Sequence, residues 1–410
     1  MPNPVSHRWP INGTWSLSLL VIVALASAVA CAPPSAPTAI PTLTPEPIVP
    51  TRTPTAAPVE LPPTATPAPT AVPPTATAVP AQREPQPQPS ATPSAAPLGP
   101  PAATVTLPRG RERFGVGVAT GGLTGFPMEQ LGIGWYLDWW VRENPARPAG
   151  IDFWQMVRVS EEGYRPPADA IRRAAAANPG SFWLIGNEPD VRWQDNTTPE
   201  RYAELYHELY HLLKDADPTA RVVIGGVSQP TPLRLAYLER VLDTYSQRYG
   251  QPMPVDVWNV HGFILREERD SWGVDIPPGM DVDTGMLYEI DDHDDLEIFG
   301  RQILEFRRWM ARHGQREKPL VVSEYGILMP ADYGFGPDEV RAFLEGSFDF
   351  FLTTTDGEVG YPRDGNRLVQ WWCWYSLAAP DDYYPTGNLF DPATREMTPL
   401  GEAFAGYAGP

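Results

Sequence analysis

The chain has 410 residues, 51 of them proline, a formal net charge of −19 and only two cysteines, Cys31 and Cys373. Proline averages about 5% of residues, so this excess excludes one compact fold from end to end. The acidic balance argues against nucleic acid as a partner and against an electrostatic hold on anionic lipid; it suits a neutral substrate or a solubilised surface.

The N-terminus reads as an export signal. Arg8 supplies a weak positive region, and the apolar run Leu17 to Val29 is too short for an ordinary membrane-spanning helix. Ala28-Val29-Ala30-Cys31 is similar to a bacterial lipoprotein cleavage box, which implies lipid attachment at Cys31. Such boxes prefer Leu where Ala28 stands, so cleavage near Ala30 by an ordinary signal peptidase is the alternative. Either way the expected location is extracytoplasmic, at the cell surface or secreted. If Cys31 takes lipid, Cys373 has no partner for an intramolecular disulfide. It lies among aromatics in an apparent strand and reads as a small buried hydrophobe.

Residues 32–109 are Pro, Thr, Ala and Ser with few large apolar side chains. Such a stretch buries too little to offset its ordering entropy, and a disordered linker is expected. In polyproline form, at about 3.1 Å per residue, it would reach on the order of 200 Å. Residues 110–410 are then expected to form the globular domain.

Within that domain, strands and helices alternate. The strands are Phe114–Val118, Gly134–Trp139, Phe153–Val159, Phe182–Ile185, Val222–Gly226, Val255–His261, Pro319–Ser323 and Leu368–Trp374. Helices are expected from Pro167 to Ala177, from Thr198 (as cap) to about Ala216, from Leu233 to about Tyr249, from Leu296 to His313 and from Pro337 to about Thr353. Helices after the first two strands are the least marked. Ile264 to about Asp295 is a polar insertion. Eight near-continuous apolar runs read as parallel strands buried on both faces, and roughly 300 residues suits a (β/α)8 TIM barrel. An open doubly wound sheet is the alternative, but the glycines after the first strand lack the dinucleotide spacing.

Polar residues gather just past the strand ends, where barrels place their chemistry. Asn187, Glu188 and Asp190 follow the fourth strand, and Pro189 stops its ladder. His261 ends the sixth, Glu324 and Tyr325 follow the seventh, and Trp372 and Trp374 share one face of the eighth. Carboxylates from strands four and seven would face each other across the mouth. Glycosidic cleavage needs that pair: one protonates the leaving oxygen while the other attacks or activates water.

Asn187-Glu188-Pro189 after strand four, with Ser323-Glu324-Tyr325-Gly326 after strand seven, resembles the clan A retaining (β/α)8-barrel glycoside hydrolases. The resemblance covers about Phe114 to Tyr407, and the tail segments Gly387 to Asp391 and Thr398 to Gly401 share it. It implies Glu188 as acid/base and Glu324 as nucleophile. Asn187 would bind the hydroxyl beside the reacting carbon, and Trp374 or Trp372 would lie under the sugar. His261 and Tyr325 join the substrate-binding set. The resemblance implies a carbohydrate substrate; a monomer is expected, with no metal, no organic cofactor and the membrane engaged only through the N-terminal lipid. One departure stands out: many clan members carry His-x-Tyr after strand six, its Tyr touching the nucleophile, where this chain has His261-Gly262-Phe263. Tyr325 is a candidate substitute, and Arg158 in the third strand a candidate partner for the nucleophile.

Three rival readings remain. A barrel that had lost catalysis would be a surface carbohydrate-binding lipoprotein. His207-Glu208-Leu209-Tyr210-His211 is a literal H-E-x-x-H, which on a helix places two His on one face as in zinc peptidases. The apolar stripe of that helix (Tyr202, Leu205, Tyr206, Leu209, Leu212, Leu213) instead reads as barrel packing. The acidic stretch Asp281 to Asp295 would wall the cleft or bind a cation, or simply be a solvated loop.

Overall fold

The computed structural model describes residues 105–119, 122–379 and 384–409. The export signal, Cys31 and the linker as far as residue 104 lie outside the described residues.

Eight parallel strands form the centre: β1 Phe114–Gly117, β2 Trp135–Leu137, β3 in two pieces (Asp152–Phe153 and Gln155–Ser160), β4 Phe182–Ile185, β5 Arg221–Ile224, β6 Trp258–His261, β7 Leu320–Tyr325 and β8 Trp371–Trp374. Each pairs with its neighbours in chain order, and β8 pairs back onto β1 through Phe114–Trp372 and Val116–Trp374. Between β5 and β6 the ladder thins to the parallel bridges Val223–Val257 and Val227–Val260. The sheet is therefore a closed eight-stranded barrel, and the open-sheet alternative falls.

Helices α1 Ala168–Ala177, α2 Pro199–Ala216, α3 Pro232–Tyr249, α4 Leu296–Arg312, α5 Pro337–Thr353 and α6 Pro399–Ala408 follow β3 to β8. After β1 and β2 the described connections hold only the 3-10 turns Met128–Gln130 and Pro148–Gly150. Those segments carry Gly125, Pro127, Gly132, Pro145 and Pro148, too many breakers for a helix. Asp295 caps α4 by accepting from the amides of Glu297 and Ile298, and Thr398 caps α6. Thr198 occupies the cap position of α2, but its hydroxyl makes no cap bond; its amide donates to the Glu161 carboxylate instead.

The barrel has two cores. Inside lie Trp135, Leu137, Trp154, Met156, Phe182, Leu184, Val223, Val257, Val321, Trp371 and Cys373. Trp154 stacks between Trp135 at 4.0 Å and Phe182 at 3.9 Å, with Trp371 edge-on. Gly115 makes room for this stack, since a Cβ there would stand 2.4 Å from the Trp135 ring. Outside, the odd-numbered faces of β3 and β4 and the even-numbered faces of β1, β6 and β8 pack on the helices. Fully burying such side chains contributes about 2–3 kcal/mol each.

Candidate active site

Alternation sets which side chains reach the mouth. Val257, just before β6, faces the interior, so Asn259 and His261 do too. On β7, Val321 faces in and Val322 out. Strict alternation would turn Glu324 outward with Val322. The pairing shows why it does not: Val260 and His261 are consecutive, yet they pair with Val322 and Glu324. The same extra residue shifts the register against β8. This bulge at Ser323 re-aims Glu324 into the barrel and sends Tyr325 out.

Glu188 reaches the same place by another route. Gly186 (φ 89°) and Glu188 (φ 46°) both adopt left-handed backbone, and the Glu188 amide donates to the Gly226 carbonyl at 3.0 Å. A left-handed glutamate is a strained conformation that surrounding bonds must hold, a frequent trait of functional sites. The imidazole Nδ1 of His261 lies 2.9 Å from Glu188 Oε1. Gly226 again leaves the space: a Cβ there would be 2.5 Å from His261 Cδ2.

Glu324 is held from the opposite side. The indole Nε1 of Trp139 donates to Glu324 Oε2 at 3.0 Å. Burial pushes the Glu324 carboxyl up to about 7, with the charge of Glu188 adding to the rise; His261, the indole bond and Arg158 oppose it. Burial pulls His261 down, but its bond to Glu188 and the charges of Glu324, Glu188 and Asp190 outweigh that, so the imidazole sits above its ordinary value. Two carboxylates and an imidazole thus form one electrostatic unit in the mouth.

Buried ion pairs brace the loop that bears Glu188. Asp195 accepts from Arg158 Nε at 2.6 Å and from the amides of Val159 and Asn187 at 3.0 and 2.8 Å. Arg158 therefore has Asp195 as its partner and touches Glu324 only through its field. Asp190 meets Arg234 Nε at 2.7 Å and accepts from the Ser228 hydroxyl, while Arg234 also meets Glu267 at 2.6 Å. All three charged groups of that chain are fully buried. Asn187 is buried with its Oδ1 unpartnered, as are Asn259 Nδ2 and Ser323 Oγ. Orphaned polar atoms at the ends of β4, β6 and β7 are the groups a polar ligand would satisfy.

Three expected substrate contacts are corrected. Trp372 packs among Phe114, Phe348 and Phe351 on the outer face of β8. Trp374 lies against Tyr325 and Phe343 and donates to the Gly387 carbonyl. Tyr325 packs on Phe299 and Phe351, under the helices. None of the three faces the mouth, because the interior face of β8 carries Trp371 and Cys373. Cys373 is free and buried, and burial followed by the charge of Glu324 drives its thiol well above its usual range.

The H-E-x-x-H pair lies on α2, in the outer ring. His207 stacks on Tyr249 and meets the Tyr245 hydroxyl at 2.9 Å, while Glu208 accepts from Tyr164. Among the described residues no three His, Cys, Asp or Glu converge as metal ligands. The acidic insertion uses its carboxylates locally: Asp283 pairs with Arg269, Glu289 with Arg266, and Asp295 caps α4. What the sequence reading missed is Trp139, Gly226 and Asp195. The one available signal was the aromatic pair Trp139-Trp140 directly past the end of β2.

Residues 119–271 match the model of the glycosyl hydrolase catalytic core. That match runs from just past β1 into the insertion after β6. Solved structures similar to it include an endo-β-1,3-glucanase from Sorangium cellulosum, 17% identical over 72% of this chain and 98% of that one, with a TM-score of 0.48. Another, from Amycolatopsis mediterranei with laminarihexaose, is 18% identical over 72% and 99%, with a TM-score of 0.48. A third, from Pseudomonas viridiflava, is 15% identical over 72% and 96%, with the same score. No curated protein matches the chain.

Proposed function

We propose that the protein is a glycoside hydrolase that cleaves O-glycosidic bonds of a poly- or oligosaccharide with retention of configuration. The observation that carries the reading is the convergence of Glu188, His261 and Glu324 in the mouth, from the ends of β4, β6 and β7. Glu324, in its ionised form, attacks the anomeric carbon. Glu188 protonates the leaving oxygen, using the proton that its pair with His261 holds. Water then hydrolyses the glycosyl-enzyme with Glu188 as base. Asn187, its Oδ1 unpartnered, binds the hydroxyl next to the reacting carbon.

The test combines stereochemistry with trapping. Proton NMR on a panel of polysaccharides, β-1,3-glucan included, should show the product anomer first released with the configuration of the substrate. A 2-deoxy-2-fluoro glycoside should label the peptide bearing Glu324, and Glu188→Gln and Glu324→Gln should be inactive. Inversion of the first-formed anomer sinks the retaining mechanism. If wild type and both variants are equally silent yet bind glycan, the protein is a carbohydrate-binding lipoprotein instead. The export reading, with lipid on Cys31 and a monomeric outer domain, is part of the same proposal. Its check is metabolic labelling with a fatty acid, lost in Cys31→Ser.

A further inference from the structure

The His261-Gly262-Phe263 segment has no hydroxyl to touch the strand-seven carboxylate, and Tyr325, the other candidate, packs under the helices. The position is nonetheless filled. Trp139 follows β2 with left-handed backbone (φ 61°), which swings its indole back across the mouth. Its Nε1 donates to Glu324 Oε2 at 3.0 Å. Two features hold the ring there. Gly117 on β1 carries no side chain beneath it, and a Cβ at that position would stand 3.0 Å from the indole Cη2. Tyr375, just beyond β8, meets the ring edge-on at a centroid distance of 5.9 Å. The indole is a donor only, so it cannot take the carboxylate's proton or turn away as an acceptor.

We propose that Trp139 is the positioning residue for Glu324: its N–H pins Oε2, leaving Oε1 as the oxygen that bonds to the anomeric carbon. This rests on the retaining reading above. In the first half-reaction Oε1 forms its bond as the glycosidic C–O bond breaks and the Glu188 proton goes to the departing oxygen. Oε2 is then the carbonyl oxygen of the glycosyl ester. In the second half-reaction water adds to the anomeric carbon and gives its proton to Glu188. The Oε1–carbon electrons return to the carboxylate. Negative charge reappears on both oxygens in that step, and the indole N–H is aimed at the one it can stabilise. Trp139 therefore assists departure of Glu324 more than its attack. The bond also favours ionised Glu324 in the free enzyme, against the rise that burial imposes on that carboxyl.

The test compares wild type with Trp139→Phe, and with an isosteric benzothienyl side chain at position 139, which removes only the N–H. Loss of one preorganised donor costs about 100-fold in kcat. The isostere should show that loss, a lower apparent KM, accumulation of glycosyl-enzyme by mass spectrometry, and an acid limb of kcat/KM displaced to higher pH. An unmoved acid limb in the isostere overturns the proposal, whatever Trp139→Phe does to folding. Failure of the retaining reading is separately visible in wild type before any variant is compared, as inversion of the first-formed anomer or as silence on every glycan. In that case the indole N–H resonance of Trp139 decides the contact. It should shift as Glu324 titrates in wild type and not in Glu324→Gln; an indole resonance indifferent to that titration overturns the assignment.

Discussion

His261 Nδ1 stands 2.9 Å from Glu188 Oε1 because residue 226, facing the imidazole from just past β5, has no side chain. A methyl there would lie 2.5 Å from His261 Cδ2, 2.8 Å from its Nε2 and 3.0 Å from Asn259 Nδ2. Gly226→Ala should therefore displace the ring rather than unfold the barrel. Misplacing a catalytic group by about 1 Å costs on the order of 100-fold. The expected result is kcat/KM lowered by roughly that factor with an unchanged circular dichroism spectrum. Wild-type activity in Gly226→Ala would remove His261 from the machinery.

The Glu324 carboxyl, raised to about 7 by burial and the charge of Glu188, sets the acid side of the pH profile. In the proposed mechanism its ionised form is the nucleophile, so kcat/KM should rise with pH through about 7 and fall again once the Glu188–His261 pair loses its proton. A profile already flat from pH 5 would place the nucleophile elsewhere.

The same shift is a statement about stability. The folded value lies above the ordinary value of 4.5, so the protonated form is favoured by folding. That contribution is complete below the unfolded value and is lost as pH rises through about 7. At about 1.36 kcal/mol per unit, the loss is ~3 kcal/mol. Glu324→Gln, neutral at every pH, should be more stable than wild type at pH 8 by up to that amount and no more stable at pH 4. Urea unfolding at both pH values measures it.

Asp195 is the hub that joins Arg158 to the amides of Val159 and Asn187. Asp195→Ala leaves a largely buried guanidinium without its carboxylate, a change that costs about 3–5 kcal/mol. It should lower the urea midpoint and, by releasing Asn187, raise KM as well. A variant with normal stability would show that the pair adds nothing net.

Trp374 sits in the outer core, so Trp374→Phe should leave KM for any glycan unchanged while lowering stability, since its indole N–H no longer reaches the Gly387 carbonyl. A net hydrogen bond of this kind is worth about 1 kcal/mol. A marked rise in KM with unchanged stability would return Trp374 to the sugar site.

Much of this was present in the residues themselves. The breaker-bounded run Phe182 to Ile185 followed by Asn187-Glu188-Pro189, and a second glutamate at the end of the seventh strand, pointed to the barrel and to the two glutamates proposed as its carboxylate pair. Those signals are local: apolar runs, proline and the order of elements along the chain. Three things were decided only by tertiary structure. A strand buried on both faces is apolar on both, so its residues do not say which set points inward; Trp372 and Trp374, expected under the sugar, lie on the outer face. The bulge at Ser323 then inverted the alternation within β7, bringing Glu324 in and turning Tyr325 out. And the partners of the carboxylates, Trp139 for Glu324 and His261 across from Gly226 for Glu188, come from strands far apart in sequence. Only closure of the barrel brings them within hydrogen-bond reach.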